Sequence, residues 1–438
     1  MTSAPPPTTW PDTIEIQPVH GPVSGAPRIP GSKSITNRAL VTAALAENTS
    51  TLTGALLSDD THYMARGLGQ LGIPVSIDTD ARTMTVSGSG GRVPATSADL
   101  YIGNSGTTAR FLTAVVALGT GTYRIDGDPA MRERPIGPLL DALRQLGVDA
   151  ASELGNNCPP VRITSTGLPG GSVSMPGNLS SQYFTGLMLA APGARDTITI
   201  RVEGELISRP YIDITAEVMR SFGVEVEVGD DTFTVPGGQR YIAREYAIEP
   251  DASAASYFFA VAAITGGTVT IEGLGSSALQ GDLQFVRVLE QMGCSVEMTD
   301  TATTVTGPEG GGLRGGEFDF AHISDTSQTL AGIAPFADGP VTFRGVAHNR
   351  VKETDRVGNV VKELRKLGQE VEEFEDGMTI HPRPVTPAVV ETWNDHRMAM
   401  GFALTGLRAP GVAIANPACV TKTFPEFFDV LEELVRGA

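Results

Sequence analysis

Cysteine is scarce in this chain, and the three that occur, Cys158, Cys294 and Cys419, stand far apart with no paired ligand spacing. That argues against a disulfide framework and against a zinc site, and leaves the thiols as structural groups. Long apolar runs are missing too: nothing approaches the roughly 18 consecutive apolar residues of a membrane helix. The longest candidates, near residues 111–118 and 257–264, have the length of buried helices, so no membrane span is expected. The opening Pro5-Pro6-Pro7-Thr8-Thr9 lacks the basic-then-apolar order of a secretory signal and reads as a frayed tail, which makes the cytoplasm the expected location. Positive charge is the third shortage. Thirty-two Lys and Arg against 50 Asp and Glu give a formal charge of -18, which repels phosphate backbones and argues against nucleic acid as a partner. An anionic small molecule is compatible with such a chain only where the few cations converge and reverse the local field.

What the chain does have is apolar content and turns. At 438 residues and 41% hydrophobic it exceeds what one core organises, so two domains are expected, and 51 glycines with 30 prolines imply many tight turns. Self-comparison finds a bulky apolar residue followed by glycine at Leu71-Gly72, Leu146-Gly147, Phe222-Gly223, Met292-Gly293 and Leu367-Gly368, at intervals of 70 to 76 residues. Each closes a helical pattern, as in 138–144 and 361–366, and precedes a strand-like one, as in the alternating 224–228; glycine suits a left-handed helix cap there. A second landmark shares the period: Lys33-Ser34, Asn104-Ser105, Ser180-Ser181, Asp251-Ala252-Ser253, Ser324-Asp325 and Asn394-Asp395 each open a helix rich in small residues. Taken singly, each reads as a capped core helix. Taken together, six N-termini with their unpaired amides would suit phosphates and carboxylates if they faced a common cleft.

Several of these openings carry cations. Pro30-Gly31-Ser32-Lys33-Ser34-Ile35-Thr36-Asn37-Arg38 has the look of an anion site, and its glycine spacing is not that of a nucleotide-triphosphate loop. In Gly103-Asn104-Ser105-Gly106-Thr107-Thr108-Ala109-Arg110, Gly106 would let a ligand approach the backbone, although a plain turn has the same composition. Met131-Arg132-Glu133-Arg134-Pro135-Ile136-Gly137 by itself reads as a solvated loop. Asn349-Arg350-Val351-Lys352-Glu353-Thr354-Asp355-Arg356 and Trp393-Asn394-Asp395-His396-Arg397-Met398 are compatible with surface ion pairing, and Thr421-Lys422-Thr423-Phe424-Pro425 adds a further lysine.

In this order, and joined by Ser208-Arg209-Pro210-Tyr211, these motifs resemble the 5-enolpyruvylshikimate-3-phosphate synthase family from about residue 14 to residue 428. The resemblance implies an inside-out α/β fold of two domains, each made of three βαβαββ copies, with the active site in the interdomain cleft, which closes on the substrates. It places residues 1–30 with 250–438 in one domain and 31–249 in the other, with hinges near 30 and 250. The implied reaction adds the 5-hydroxyl of shikimate 3-phosphate to C2 of phosphoenolpyruvate while C3 is protonated, then expels phosphate and removes a C3 proton. No metal or organic cofactor is implied. Beyond the two small-molecule substrates no partner is expected, and the chain is expected to be monomeric. Such chemistry needs an acid and a base beside dense positive charge in a dry site.

Carried over by position, Lys33, Asn104, Gly106, Arg134, Gln182, Arg356, Arg397 and Lys422 would bind phosphoenolpyruvate. Shikimate 3-phosphate would be held by Lys33, Ser34, Arg38, Ser180, Ser181, Gln182, Ser208, Tyr211, Asp325, His348 and Lys352. Asp325 would act as base on the attacking hydroxyl, with Lys33 and Glu353 moving the proton at C3 and His396 beside them. Gly106 leaves the space that glyphosate, the family's inhibitor, usually needs. Two departures stand out: Ser324 occupies a position where many members carry proline, and His348 one where asparagine is frequent. Two alternatives remain: the sister transferase acting on UDP-N-acetylglucosamine, against which Lys33 in a Gly-Ser-Lys-Ser run and Cys158 after Arg134 both count, and a non-catalytic anion-binding repeat scaffold, against which the presence of Lys33, Asp325 and Glu353 counts.

Overall fold

All five apolar-glycine junctions end helices, and in each the glycine is left-handed: φ is 87° at Gly72, 82° at Gly147, 81° at Gly223, 105° at Gly293 and 85° at Gly368. A side chain at these positions would strain the backbone, which is why the sequence returns to glycine there. The chain is described by a computed structural model over residues 10–436, and the tail expected at Pro5 to Thr9 lies outside the described residues. It forms two compact units, one of Gly31–Ile248 and one of 10–30 with 249 onward.

The first unit contains α1 (Lys33–Leu45), α2 (Asp59–Gln70), α3 (Gly106–Val115), α4 (Gly137–Gln145), α5 (Ser181–Ala190) and α6 (Pro210–Ser221). Its three main sheets have one topology. In the second, Ser97–Tyr101 runs parallel to Thr120–Asp126, followed by antiparallel Val161–Thr166 and Asp149–Ser152. The third repeats this with Gly171–Pro176, Ile198–Glu203, Thr232–Val235 and Glu227–Val228. The first does so with Thr49–Thr53, Thr83–Ser87 and Val75–Asp78, but its parallel edge strand, Glu245–Ala247, comes from the end of the unit. The strand expected over 224–228 is shorter than its alternation implied, because only Glu227–Val228 pairs.

The second unit contains α7 (Ala252–Thr265), α8 (Phe285–Gln291), α9 (Ser327–Ile333), α10 (Gly358–Lys366), α11 (His396–Gly406) and α12 (Phe427–Val435). Gly316–Asp319, Val341–Arg344, Gly377–His381 and Glu370–Phe374 form the same four-stranded sheet. The other two sheets are completed by residues near the start of the described chain. Thr13–Glu15 pairs with Val412–Ala415, setting Ile14 opposite Ile414, and Gly25 bridges Val269 at the edge of the sheet of Thr268–Glu272.

In both units the odd-numbered helices are buried almost throughout, while the even-numbered ones keep a polar face. This is the inside-out arrangement: small and apolar residues around the whole circumference make a helix a core element, and sheets surround it. Close approach depends on glycine. A Cβ on Gly332 of α9 would lie 2.0 Å from the Gly401 carbonyl oxygen of α11.

Candidate active site

Four of the six predicted openings cap their helices with the expected side chain. Ser105 accepts from the Thr108 amide at 3.4 Å, Ser180 from Gln182 at 3.2 Å, Asp251 from Ala254 at 2.9 Å and Asp395 from Arg397 at 2.9 Å. At the first opening the cap is Ser32, one residue before Lys33, through the Ile35 amide at 3.4 Å. The fifth differs. Ser324 and Asp325 lie in a 3-10 turn, α9 starts at Ser327, and the Ser324 hydroxyl is taken up by His348 Nε2 at 3.0 Å.

In the first unit these starts are joined by hydrogen bonds. Lys33 Nζ lies 3.5 Å from Asp60, a buried residue of the first turn of α2. Thr108 Oγ1 donates to the Asp60 carbonyl and lies 2.7 Å from the Ser105 hydroxyl, and Gln182 Nε2 donates to Thr107 at 3.5 Å. Arg134 Nη1 donates to the carbonyl and the side-chain oxygen of Asn104, at 3.1 and 3.0 Å. The segment carrying Arg134 is held from behind, since Arg110 donates to both the Gly106 and Pro135 carbonyls and Tyr183 donates to Pro135 at 2.7 Å. Lys33, Asn104, Gly106, Arg134 and Gln182 thus belong to one connected patch.

Arg38 is placed differently. Its guanidinium is buried and donates to Thr215 at 2.9 Å, the Ser34 carbonyl at 2.8 Å, Thr185 at 3.3 Å and the Tyr211 carbonyl at 3.1 Å. Burial pulls its pKa down to about 10, and the fork ties α1 to α5 and α6. Nearby Ser208 is left-handed at φ 56°, an uncommon conformation for a residue with a side chain.

The second unit gathers four cations and three carboxylates. Asp325 accepts from Lys352 at 2.7 Å and Arg356 at 3.3 Å on one oxygen, and from Arg397 at 2.8 Å on the other. Burial alone would raise its pKa, but Arg397, Lys352 and Arg356 outweigh burial and hold the carboxyl well below the usual range. Arg356 is also gripped by both oxygens of Asp395, at 2.7 and 3.1 Å, and meets Glu353 at 2.9 Å. The other Glu353 oxygen lies 3.9 Å from Lys422. His348 is driven down to about 3 by burial and then by Lys352, so its ring is neutral at pH 7. His396 is fully buried, its Nδ1 3.5 Å from Asp395. Among the described residues no group of His, Cys, Asp and Glu side chains is disposed to hold a metal ion. Chemically, the second unit offers an ionised carboxylate amid cations, and the first a lysine and an arginine at helix starts.

A family model described as EPSP synthase (3-phosphoshikimate 1-carboxyvinyltransferase) matches residues 18–431. The chain belongs to this family. It is 50% identical over 418 residues to a 3-phosphoshikimate 1-carboxyvinyltransferase of Nostoc punctiforme, covering 95% of this chain and 98% of the relative. The chloroplastic 3-phosphoshikimate 1-carboxyvinyltransferase of Arabidopsis thaliana is 47% identical over 440 residues, covering 97% and 84%. Among solved structures, EPSP synthase from Acinetobacter baumannii aligns with a TM-score of 0.80 at 25% identity, covering 96% of this chain and 98% of that one.

Against the EPSP synthase pattern, sequence reasoning names Asp325 and Glu353 but misses other anions beside the cations. Asp60 had a local signal, an acid in the first turn after Ser58, but nothing in sequence ties it to Lys33. Asp395 reads in sequence as a helix cap or a surface ion-pair residue, whereas it caps α11 and also clamps the buried Arg356. Asp282, buried and bonded by Ser253, was not singled out at all.

Proposed function

We propose that this chain transfers the enolpyruvyl group of phosphoenolpyruvate to the 5-hydroxyl of shikimate 3-phosphate, releasing phosphate, with Asp325 as the base. The observation that carries the residue assignment is the Asp325 carboxylate, ionised and in contact with Lys352, Arg356 and Arg397. Each of those cations suits a phosphate or carboxylate of the substrates. As substrate anions offset the cations, the proton affinity of Asp325 rises, so the group becomes a better base when the hydroxyl is in place.

In this reading Asp325 takes the hydroxyl proton as the oxygen attacks C2, and Lys33 and Glu353 manage the delivery of a proton to C3. Expulsion of phosphate from the tetrahedral adduct follows, and the C3 proton returns. Arg134, Asn104, Gly106 and Gln182 with Arg356, Arg397 and Lys422 hold phosphoenolpyruvate. Lys33, Ser34, Arg38, Ser180, Ser181, Gln182, Ser208, Tyr211, Asp325, His348 and Lys352 hold shikimate 3-phosphate, and Arg38 also braces their helices through four bonds that leave one N–H of Nη1 over. His396 acts through Asp395. Domain limits at residues 30 and 250, a monomeric state, a cytoplasmic location and indifference to nucleic acid complete the proposal. No described helix is long and apolar enough to cross a membrane, and the charge is -18.

The names of the relatives support shikimate 3-phosphate over UDP-N-acetylglucosamine as acceptor, and over a non-catalytic scaffold. Purified protein should release phosphate from phosphoenolpyruvate when shikimate 3-phosphate is present. Absence of release, or release with UDP-N-acetylglucosamine instead, overturns the assignment.

A further inference from the structure

A second carboxyl group lies behind Asp325. Asp282 sits in the 3-10 turn Gly281–Gln284, which packs against α7, α8 and the Ser324–Thr326 turn. Two links fix this turn to the start of α7. The Ser253 hydroxyl donates to Asp282 Oδ2, and the Gln280 side chain accepts from the Ala252 amide at 3.1 Å while donating to Glu249 and the Pro250 carbonyl. Asp282 is buried, and its turn lies against the turn that carries Asp325.

We infer that Asp282 is a positioning residue for this reaction, acting on the substrates through the Asp325 carboxyl and the Arg397 guanidinium. The inference rests on the reading of Asp325 as base. The charged groups that face Asp282 are Asp251, which caps α7, Asp325 of the adjoining turn and Arg397 of α11; Arg287 and Glu290 of α8 pair with each other at the surface. Burial, followed by the Asp325 charge, pushes the Asp282 pKa up to about 6, against the pull of Ser253 and Arg397. Repulsion between two carboxylates is mutual, so ionised Asp282 makes Asp325 hold a proton more tightly. Once Asp282 is protonated, Asp325 is left to its three cations and becomes a weaker base, while Arg397 presents more of its charge to an anion. The acid limb of kcat then belongs to Asp282.

Asp282→Asn keeps the shape and an acceptor for Ser253 but removes the charge, which separates the field from the packing. The expected result is a kcat at pH 8 lowered by about three- to tenfold, the loss that a fall of up to one unit in the base's proton affinity brings. The KM for phosphoenolpyruvate should not rise, and the limb near pH 6 should disappear. Ser253→Ala keeps the carboxyl and removes its donor, so it should move the limb to higher pH; this variant decides the matter if Asp282→Asn does not fold. A wild-type limb in folded Asp282→Asn, or an unmoved limb in Ser253→Ala, overturns the inference. Asp325→Asn separates the two layers. If it turns over normally, the base assignment fails; if it is inactive while Asp282→Asn keeps its limb, only the role of Asp282 fails.

Discussion

Gly106→Ala should weaken phosphoenolpyruvate binding without unfolding the protein. A Cβ at this position would lie 2.6 Å from Arg134 Nη2, 3.1 Å from Arg134 Cζ and 3.2 Å from Arg110 Nη1. Comfortable contact begins near 3.5 Å, so the Arg134 guanidinium must retreat by roughly 1 Å. All three atoms are side-chain tips, and Gly106 is not left-handed, so the backbone of α3 has no reason to move. The retreat stretches the 3.1 and 3.0 Å bonds to Asn104 and takes the fork off its aim. One misplaced hydrogen bond to a charged group costs about 1.5–3 kcal/mol. At about 1.4 kcal/mol per decade this is roughly ten- to a hundredfold in kcat/KM for phosphoenolpyruvate, expressed mainly in KM because the contact is made before and during the reaction. The KM for shikimate 3-phosphate should shift less than about threefold, the scatter expected between independent sites. Steady-state phosphate release with each substrate varied in turn measures both. A double-mutant cycle sharpens the test: in an Arg134→Ala background the methyl meets only the milder contact with Arg110 Nη1 at 3.2 Å, so Gly106→Ala should cost little further. An unchanged KM for phosphoenolpyruvate, or full additivity in the cycle, refutes the assignment.

Asp325→Asn and Lys33→Ala should each lower turnover at least about a hundredfold in the same assay, the usual loss for an acid-base group, and near-normal turnover would reject those roles. Asp395→Asn breaks the two-oxygen grip on Arg356 in a site closed to water, so denaturant unfolding should show a loss of about 3–5 kcal/mol. Gly332→Ala pushes a methyl into the Gly401 carbonyl, and overpacking between α9 and α11 should cost about 1–3 kcal/mol or more by the same measurement. Stability should also report the raised pKa of Asp282. Its contribution is complete below the ordinary aspartate value of 3.8 and is lost as pH rises through about 6, so Asp282→Asn should melt higher than wild type at pH 8 and no higher below pH 3.8.

The sequence revealed what depends on neighbours in the chain. A cap needs one side chain and an amide two or three residues on, so Ser105, Ser180, Asp251 and Asp395 were readable, as were the left-handed glycines. Ser324 failed because His348, 24 residues later, takes its hydroxyl, and no local pattern announces that. The direction of Arg38 was legible locally as well. Five residues along a helix turn through about 500°, so Arg38 points some 140° away from Lys33, whereas Ser34, four residues before it, shares its face. The structure follows this geometry, with Lys33 on Asp60 and Arg38 on Ser34, Thr185 and Thr215.

The residues alone do not tell one carboxylate from another, because the difference depends on burial; the role of Asp325 as base comes only with the family resemblance. Asp325 and Asp395 both hold Arg356, and in sequence both are acids at a helix start. The Asp395 side chain is 0% exposed and grips with two oxygens, so an incoming anion has no path to displace it. That of Asp325 is 17% exposed, divides its two oxygens among three cations, and lies in a short turn. A substrate phosphate can therefore compete for the cations around Asp325 while Arg356 stays anchored by Asp395. The same arginine thus serves both a fixed pair with Asp395 and an exchangeable one with Asp325, which is what the proposed base requires.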